Sequence, residues 1–149
     1  MKLQIDQIAI YVGDRDKKKD KINEVFDKKE WVTDEVKSVG ENRVKNFTFD
    51  YNLAFNYELL EGGIEFELIE KVGGTSYHDE LVPPCISHFG MHVEDLQEAI
   101  QYFEEKGFEQ FMTVKTQEHT GTSRKYKYTF IDTTPLLGYP LKLIKRVVE

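Results

Sequence analysis

The sequence has few of the residues that build disulfide frameworks. Among 149 residues there is a single cysteine, Cys85, and only four prolines. One cysteine excludes an intrachain disulfide and a multi-cysteine metal site, and it favours a reducing compartment, so we expect a cytoplasmic protein. No apolar run reaches the roughly 18 residues of a membrane-spanning helix, so we expect no membrane partner.

The chain also has fewer basic residues than acidic residues. The chain has 20 Lys and Arg against 27 Asp and Glu, a net charge of -7 at pH 7 and a pI near 5.2. Because binding to phosphate needs a basic surface, we expect no nucleic-acid partner. The opening MKLQIDQIAI places polar residues where a signal peptide would be apolar, which argues against a secretory signal. The length suits one domain over residues 1–149.

Two pairs of segments show that the chain contains a repeat. Residues 5–14 read IDQIAIYVGD and residues 86–95 read ISHFGMHVED. Residues 63–72 read GIEFELIEKV and residues 138–147 read GYPLKLIKRV. Self-similarity of this kind predicts two copies of one structural unit. We place the first module at about 1–80 and the second at about 85–149, joined by the linker LVPPC.

Each module predicts the same order of elements. The opening segments, residues 5–12 and 86–93, are dense in apolar residues and are typical of strands. A helix follows each one; in the second module it begins after the N-cap candidate Asp95 and ends near Gly107. Three strands complete each module.

The clearest strand signal is strict alternation over residues 47–59, with aromatic and leucine side chains on one face. This face is either part of the core or the wall of an apolar pocket. Residues 125–132 alternate in the same way, with Tyr126, Tyr128 and Phe130 on one face. The order βαβββ twice predicts an α+β fold with helices outside a curved sheet.

A duplicated βαβββ unit with these motifs resembles the vicinal oxygen chelate superfamily, which includes glyoxalase I, methylmalonyl-CoA epimerase, extradiol dioxygenases and bleomycin resistance proteins. The resemblance rests on four segments in order: IDQIAIYVGD, GIEFELIEKV, ISHFGMHVEDLQEAI and FIDTTPLLGYPLKLIKR. It implies two modules forming a half-barrel around a central cavity. It also implies a small-molecule ligand or substrate, and a homodimer is common in this superfamily.

The resemblance implies four ligand positions for a divalent metal such as zinc, nickel, cobalt or iron. Transferred to this chain, they are Gln7, Glu67, His88 and Lys142. Strand alternation places Gln7 and His88 on the faces that also carry the small residues Ala9 and Gly90, which would leave room in a cavity. Glu67 and Lys142 occupy equivalent places in the two modules.

Lysine at the fourth position departs from the pattern. A charged lysine about 4 Å from a divalent ion would be repelled by roughly 8 kcal/mol at an effective dielectric of about 20. Two arrangements remain open. Gln7, Glu67 and His88 bind a metal with the lysine turned away, or the ammonium of Lys142 replaces the metal and pairs with Glu67.

Two functions follow from the resemblance. The first is a lyase or isomerase that transfers a proton next to a carbonyl, with Glu67 and Lys142 as catalytic residues and Tyr11 and His92 as substrate-binding residues. The second is a metal-free small-molecule binding or sequestering protein. A dioxygenase is less favoured because its metal site needs an acidic residue where Lys142 stands.

Overall fold

The architecture is a strongly curved sheet with its helices outside. A computed structural model describes residues 3–26, 30–42, 46–60, 63–119 and 125–147. The predicted order βαβββ, repeated twice, is confirmed. The elements are β1 Gln7–Tyr11, α1 Arg15–Val25, β2 Val32–Asn42, β3 Asn46–Leu60, β4 Ile64–Gly74, β5 Cys85–His92, α2 Leu96–Glu105, β6 Gln110–His119, β7 Lys125–Ile131, a short α3 Thr134–Leu137 and β8 Leu141–Val147.

The two long helices begin at equivalent positions of the repeat. Asp14 accepts a hydrogen bond from the backbone N–H of Lys17, and Asp95 accepts one from that of Glu98, each at 3.0 Å. These side chains satisfy N–H groups that lack a partner inside the helix, so each aspartate acts as an N-cap. Gly107, whose φ of 91° suits glycine, follows the end of α2 as predicted.

Turn-forming residues connect several of the strands. The pair Thr134-Pro135 favours a turn in the sequence, and in the structure it begins the short helix α3, which is followed by Gly138 with a φ of 82°. Residues 61–63, Glu-Gly-Gly, favour a hairpin turn, and of these only Gly63 lies within the described residues. A 3₁₀ turn, Tyr77–Glu80, separates the modules ahead of β5.

The eight strands form one sheet that closes on itself. The order is β1-β4-β3-β2-β6-β7-β8-β5, and β5 pairs with β1. Strands β1 and β4 are parallel, as are β5 and β8, whereas the modules meet through the antiparallel pairs β1–β5 and β2–β6. The expected curved sheet around a cavity is confirmed, and the β2–β6 pairing completes the ring.

The outward apolar side chains of the opening strands pack under the helices, as their alternation predicts. Met91 of β5 and Val93, just after this strand, belong to a buried cluster with Ala99 and Ile100 of α2. In the first module Val12 packs with neighbours that include Ile22 of α1. This packing leaves the other face of both strands turned toward the interior of the ring. No helix among the described residues is long and apolar enough to cross a membrane.

Candidate functional site

The register of four neighbouring strands places the predicted ligand positions together. In the antiparallel β1–β5 pair, Gln7 lies opposite Gly90 and Ala9 lies opposite His88. On the outer sides of this pair, the parallel strands place Glu67 beside Ala9 and Lys142 beside Gly90. Each small residue therefore has polar side chains as neighbours on both sides.

Gly90 provides the space for the side chain of Gln7. A Cβ atom built at Gly90 would lie 2.5 Å from Gln7 Oε1 and 2.8 Å from Gln7 Cβ. Real Cβ atoms do not approach other atoms this closely, so any larger residue would displace the glutamine. Gly90 therefore leaves the space that the sequence predicts for a small residue at this position, and the Gln7 side chain fills it.

Gln7, Glu67, His88 and Lys142 line a single cavity of about 60 Å³, together with His92. The cavity is small, so it suits the reacting end of a ligand and not a whole cofactor. The wall is apolar and aromatic. It includes Leu53, Phe55, Tyr126, Tyr128 and Phe130, the described members of the two alternating faces seen in the sequence.

Both alternating faces thus contribute to the cavity wall, and Leu53, Phe55 and Phe130 are also buried core residues. The same side chains therefore belong both to the hydrophobic core and to the wall of the pocket. The other side chains of the alternating segment at residues 47–59, apart from Ala54, lie outside what the structure describes.

Three donor atoms converge at the floor of the cavity. His88 Nε2 lies 3.2 Å from Gln7 Oε1 and 3.6 Å from Glu67 Oε1. Gln7 holds its own orientation by donating from Nε2 to Glu65 Oε1 at 2.8 Å. Glu67 Oε1 is buried and has no hydrogen-bond partner among the described residues.

Burial shifts the pKa values of both Glu67 and His88. It raises the pKa of Glu67 above its usual value, and the positive charge of Lys142 opposes that shift. Burial also lowers the pKa of His88 well below its usual value, with Lys142 acting in the same direction. The 3.6 Å approach of His88 to Glu67 is therefore a contact of a neutral ring and not an ion pair.

Lys142 is turned toward an aromatic ring. Its Nζ lies 4.4 Å from the centroid of the Tyr128 ring, a cation–π distance. Among the described residues no ion pair joins Lys142 to Glu67, and the replacement of a metal by this lysine stays a prediction. The lysine charge still acts on both Glu67 and His88 through space.

His92 stands at the edge of the cavity and is held by an acidic residue. Its Nδ1 lies 2.9 Å from Asp6 Oδ1, and its backbone N–H donates to the same oxygen at 3.1 Å. The hydrogen bond to Asp6 raises the pKa of His92, and burial partly opposes this. Its predicted contact with substrate stays a prediction.

Tyr11, the other predicted substrate-binding residue, is not among the described residues that line the cavity. Its ring packs against the buried ring of His78, with 4.8 Å between centroids. Its role in substrate binding stays a prediction, and the structure places the side chain one layer behind the cavity wall.

Sequence reasoning missed a polar cluster behind His88. Ser87 and His78 are each about 1% exposed, and Tyr77 reaches into the same cluster. His78 had no identifiable partner in the sequence, because the 3₁₀ turn that carries it meets β5 only in the folded chain. The signal that was available is the capping box of Ser76 and Asp79, which predicts a turn at this point.

The donor set fits a divalent ion at three positions. Two ligands bound about 2.05 Å from a tetrahedral zinc ion lie about 3.4 Å apart, close to the 3.2 and 3.6 Å separations of the Gln7, His88 and Glu67 atoms. An amide oxygen, an imidazole nitrogen and a carboxylate oxygen are suitable ligands. Lys142 does not fit as a ligand. Among the described residues no group of three His, Cys, Asp or Glu side chains is placed to hold a metal.

Comparisons with known proteins agree with this fold. Residues 6–128 match the profile of the glyoxalase/bleomycin resistance protein/dioxygenase superfamily. No curated protein matches the sequence.

Solved structures share the fold at low sequence identity. Methylmalonyl-CoA epimerase from Mycobacterium tuberculosis is 11% identical with a TM-score of 0.59, over 97% of this chain and 88% of that one. A variant of the Streptomyces coelicolor epimerase in complex with 2-nitronate-propionyl-CoA is 14% identical with a TM-score of 0.59, over 97% and 98%. A hypothetical protein from Bacillus halodurans is 16% identical with a TM-score of 0.58, over 98% and 96%.

Proposed function

Because the chain belongs to the glyoxalase/bleomycin resistance protein/dioxygenase superfamily, we propose that it is a lyase or isomerase that transfers a proton next to a carbonyl group. One observation carries the proposal. The buried carboxyl group of Glu67 shares a small cavity with His88 and Lys142, and one of its oxygens has no hydrogen-bond partner among the described residues.

Glu67 is the proton acceptor in this proposal. Its carboxylate removes a proton from the carbon next to the carbonyl, and the electron pair of the broken C–H bond passes into an enolate. The raised pKa makes this carboxylate a stronger base than an exposed glutamate, which favours the transfer. For an epimerisation, water delivers a proton to the opposite face of the enolate and Glu67 releases the proton it removed to solvent; for an isomerisation, Glu67 returns its proton to the neighbouring atom.

Lys142 supplies positive charge for the oxygen on which the enolate charge develops. Its ammonium lines the same cavity and its charge reaches the Glu67 carboxyl group. Positive charge placed before the reaction stabilises the developing oxyanion without reorganisation. The Tyr128 ring holds the ammonium in place through the 4.4 Å contact.

Gln7, Glu67 and His88 are the residues that would hold a divalent ion. When bound, such an ion supplies Lewis-acid polarisation of the substrate oxygens. Glu67 would then be a ligand, and Lys142 would be the side chain left to carry the proton. Without a metal Lys142 would stabilise the oxyanion, and with a metal it would carry the proton. Substitution of Lys142 therefore distinguishes the two cases.

For substrate we propose a small acyl group that carries a second oxygen function, and methylmalonyl-CoA is the first candidate to test because structurally similar epimerases act on it. The small cavity suits the acyl end, with the remainder of the molecule outside. The homodimer and the cytoplasmic location stay predictions.

Proton exchange with solvent tests the proposal. We would incubate protein with methylmalonyl-CoA in D₂O and follow the α-proton by NMR, before and after removal of metal with a chelator. We expect exchange that falls at least 100-fold in Glu67→Gln, since one acid–base group contributes about 10²–10⁴-fold. Thr133→Val is the matched control, because Thr133 is buried, its hydroxyl donates to the Tyr139 carbonyl, and it is not among the described residues that line the cavity.

A metal-free binding protein is the second candidate, favoured by a cation held against an aromatic wall. Saturable ligand binding by calorimetry, with no α-proton exchange under any metal condition, would support it over an enzyme.

A further inference from the structure

A chain of hydrogen-bonding groups lies behind His88, on the side away from Gln7. Ser87 Oγ lies 3.1 Å from His88 Nδ1 and 2.7 Å from His78 Nε2. His78 Nδ1 lies 3.0 Å from the Oγ of half-buried Ser76. This chain joins the floor of the cavity to the edge of the protein through two buried rings.

The donor and acceptor in each hydrogen bond of this chain can be assigned by starting at Gln7, which lines the cavity. Gln7 donates from Nε2 to the Glu65 carboxylate, which in its ionised form can only accept, so the atom that faces His88 is the acceptor Gln7 Oε1. His88 Nε2 therefore carries the ring proton, and His88 Nδ1 is left as an acceptor.

Ser87 links the protonated nitrogen of His88 to that of His78. A serine hydroxyl has one proton to donate and two lone pairs. The Tyr77 hydroxyl lies 2.6 Å from Ser87 Oγ and 3.3 Å from His88 Nδ1, so it donates to the nearer Ser87. The Ser87 proton then goes to His88 Nδ1, and the His78 ring nitrogen at 2.7 Å donates to Ser87. His78 then accepts from Ser76 at its Nδ1. Burial lowers the pKa of His78 to about 3, so this ring is neutral and has one proton to place.

We propose that His78 is a positioning residue for His88, coupled to it by the single proton of Ser87 so that both rings carry their proton on the same nitrogen. The reversed arrangement, with both protons on Nδ1, satisfies the bonds to Ser87 and Ser76 but sets the lone pair of His88 Nε2 against the acceptor Gln7 Oε1, so it needs a cation between these two atoms. The network therefore has two states, one that offers a donor and one that offers a ligand.

The functional meaning of this coupling rests on the proposed function, in which His88 Nε2 faces the reacting atoms. In the first state His88 donates to Gln7 or to a substrate oxygen. In the second it can bind a cation. His78 also lines the cavity, and the proposal concerns the effect that it has on His88 through Ser87.

Nitrogen NMR of the histidine rings tests the coupling directly. With ¹⁵N-histidine in chelator-treated protein at pH 7.5, long-range correlation spectra show which nitrogen of each ring is protonated. The chain has four histidines, and His78→Gln and His88→Gln assign the two signals. We expect both rings to be protonated on Nε2. Protonation of the two rings on opposite nitrogens would overturn the proposal, and the protonation itself is read from the unsubstituted protein.

Ser87→Ala tests the connection itself. Removing the hydroxyl deprives His78 Nε2 of its acceptor, so the His78 proton should move to Nδ1 toward Ser76, while His88 keeps its proton on Nε2 because Gln7 still holds it. Thr133→Val, another buried hydroxyl deletion, should change neither ring. An unchanged His78 in folded Ser87→Ala protein would refute the coupling.

The two proposals fail separately. Coupled rings in a protein without α-proton exchange would remove the proposed function and leave the coupling intact. Exchange activity with uncoupled rings would do the reverse.

Discussion

Gly90 and Gln7 face each other across the antiparallel β1–β5 pair, and the glutamine side chain lies where a Cβ atom of residue 90 would be. This contact joins the two modules at the floor of the cavity. It also sets the distance from Gln7 to His88, so the backbone at Gly90 controls the geometry of the donor atoms.

Gly90→Ala should therefore damage both stability and the site. The added methyl group meets Gln7 atoms at 2.5 and 2.8 Å, and forced overpacking costs about 1–3 kcal/mol. Urea unfolding measures the loss. Gly13→Ala is the control, because the nearest atom to a Cβ there is 4.0 Å away. A Gly90→Ala protein as stable as the wild type would contradict this account.

Glu67→Gln should stabilise the fold at neutral pH while it removes proton transfer. Burial raises the pKa of Glu67, so the folded state holds this proton more tightly than the unfolded state. The resulting penalty is absent below the unfolded pKa, grows as the pH rises toward the folded pKa, and is constant above it.

Urea unfolding at pH 4 and pH 8 checks this sign. We expect Glu67→Gln to gain about 1–2 kcal/mol at pH 8 relative to its effect at pH 4, a size common when a strained functional group is removed. Glu98→Gln, on the exposed side of α2, should show little difference between the two pH values. A variant less stable at pH 8 than at pH 4, relative to wild type, would count against the buried charged carboxyl.

Asp6→Asn should lower the pKa of His92. The hydrogen bond that His92 donates to Asp6 raises that pKa, so the stabilisation from this pair is fully present below the unfolded histidine pKa and declines as the pH rises through the folded pKa. A ring-proton NMR titration of His92 gives the change directly. If the His92 midpoint is the same in both proteins, Asp6 is not the cause of the shift.

Lys142→Gln should strengthen binding of a divalent ion. The substitution removes a positive charge that lines the cavity and acts on both Glu67 and His88, so we expect roughly a tenfold or larger gain in zinc affinity. Calorimetry with zinc measures it. Lys127→Gln, an equal charge change on an exposed side chain of β7, is the control. Equal affinities in the two variants would show that Lys142 does not oppose an ion.

Much of the fold could be predicted from local patterns. The repeat of IDQIAIYVGD in ISHFGMHVED, the N-cap at Asp95 and the alternation over residues 47–59 depend on interactions between near neighbours, and these are written directly in the order of residues. The resemblance to the superfamily supplied the four inner positions, strand alternation agreed with it for Gln7 and His88, and the register places Gln7, Glu67, His88 and Lys142 around one cavity.

Only the tertiary structure decided what these side chains do there. The cation–π contact of Lys142 with Tyr128, the support of Gln7 by Glu65 and the coupling of His88 to His78 through Ser87 join atoms from different strands and turns. Such contacts depend on side-chain rotamers, and rotamers are selected by packing and burial that no local pattern contains. The order of residues determined the repeat, the strands and helices, and the side chains that face the interior. The closed sheet determined which of those side chains contact or hydrogen-bond one another.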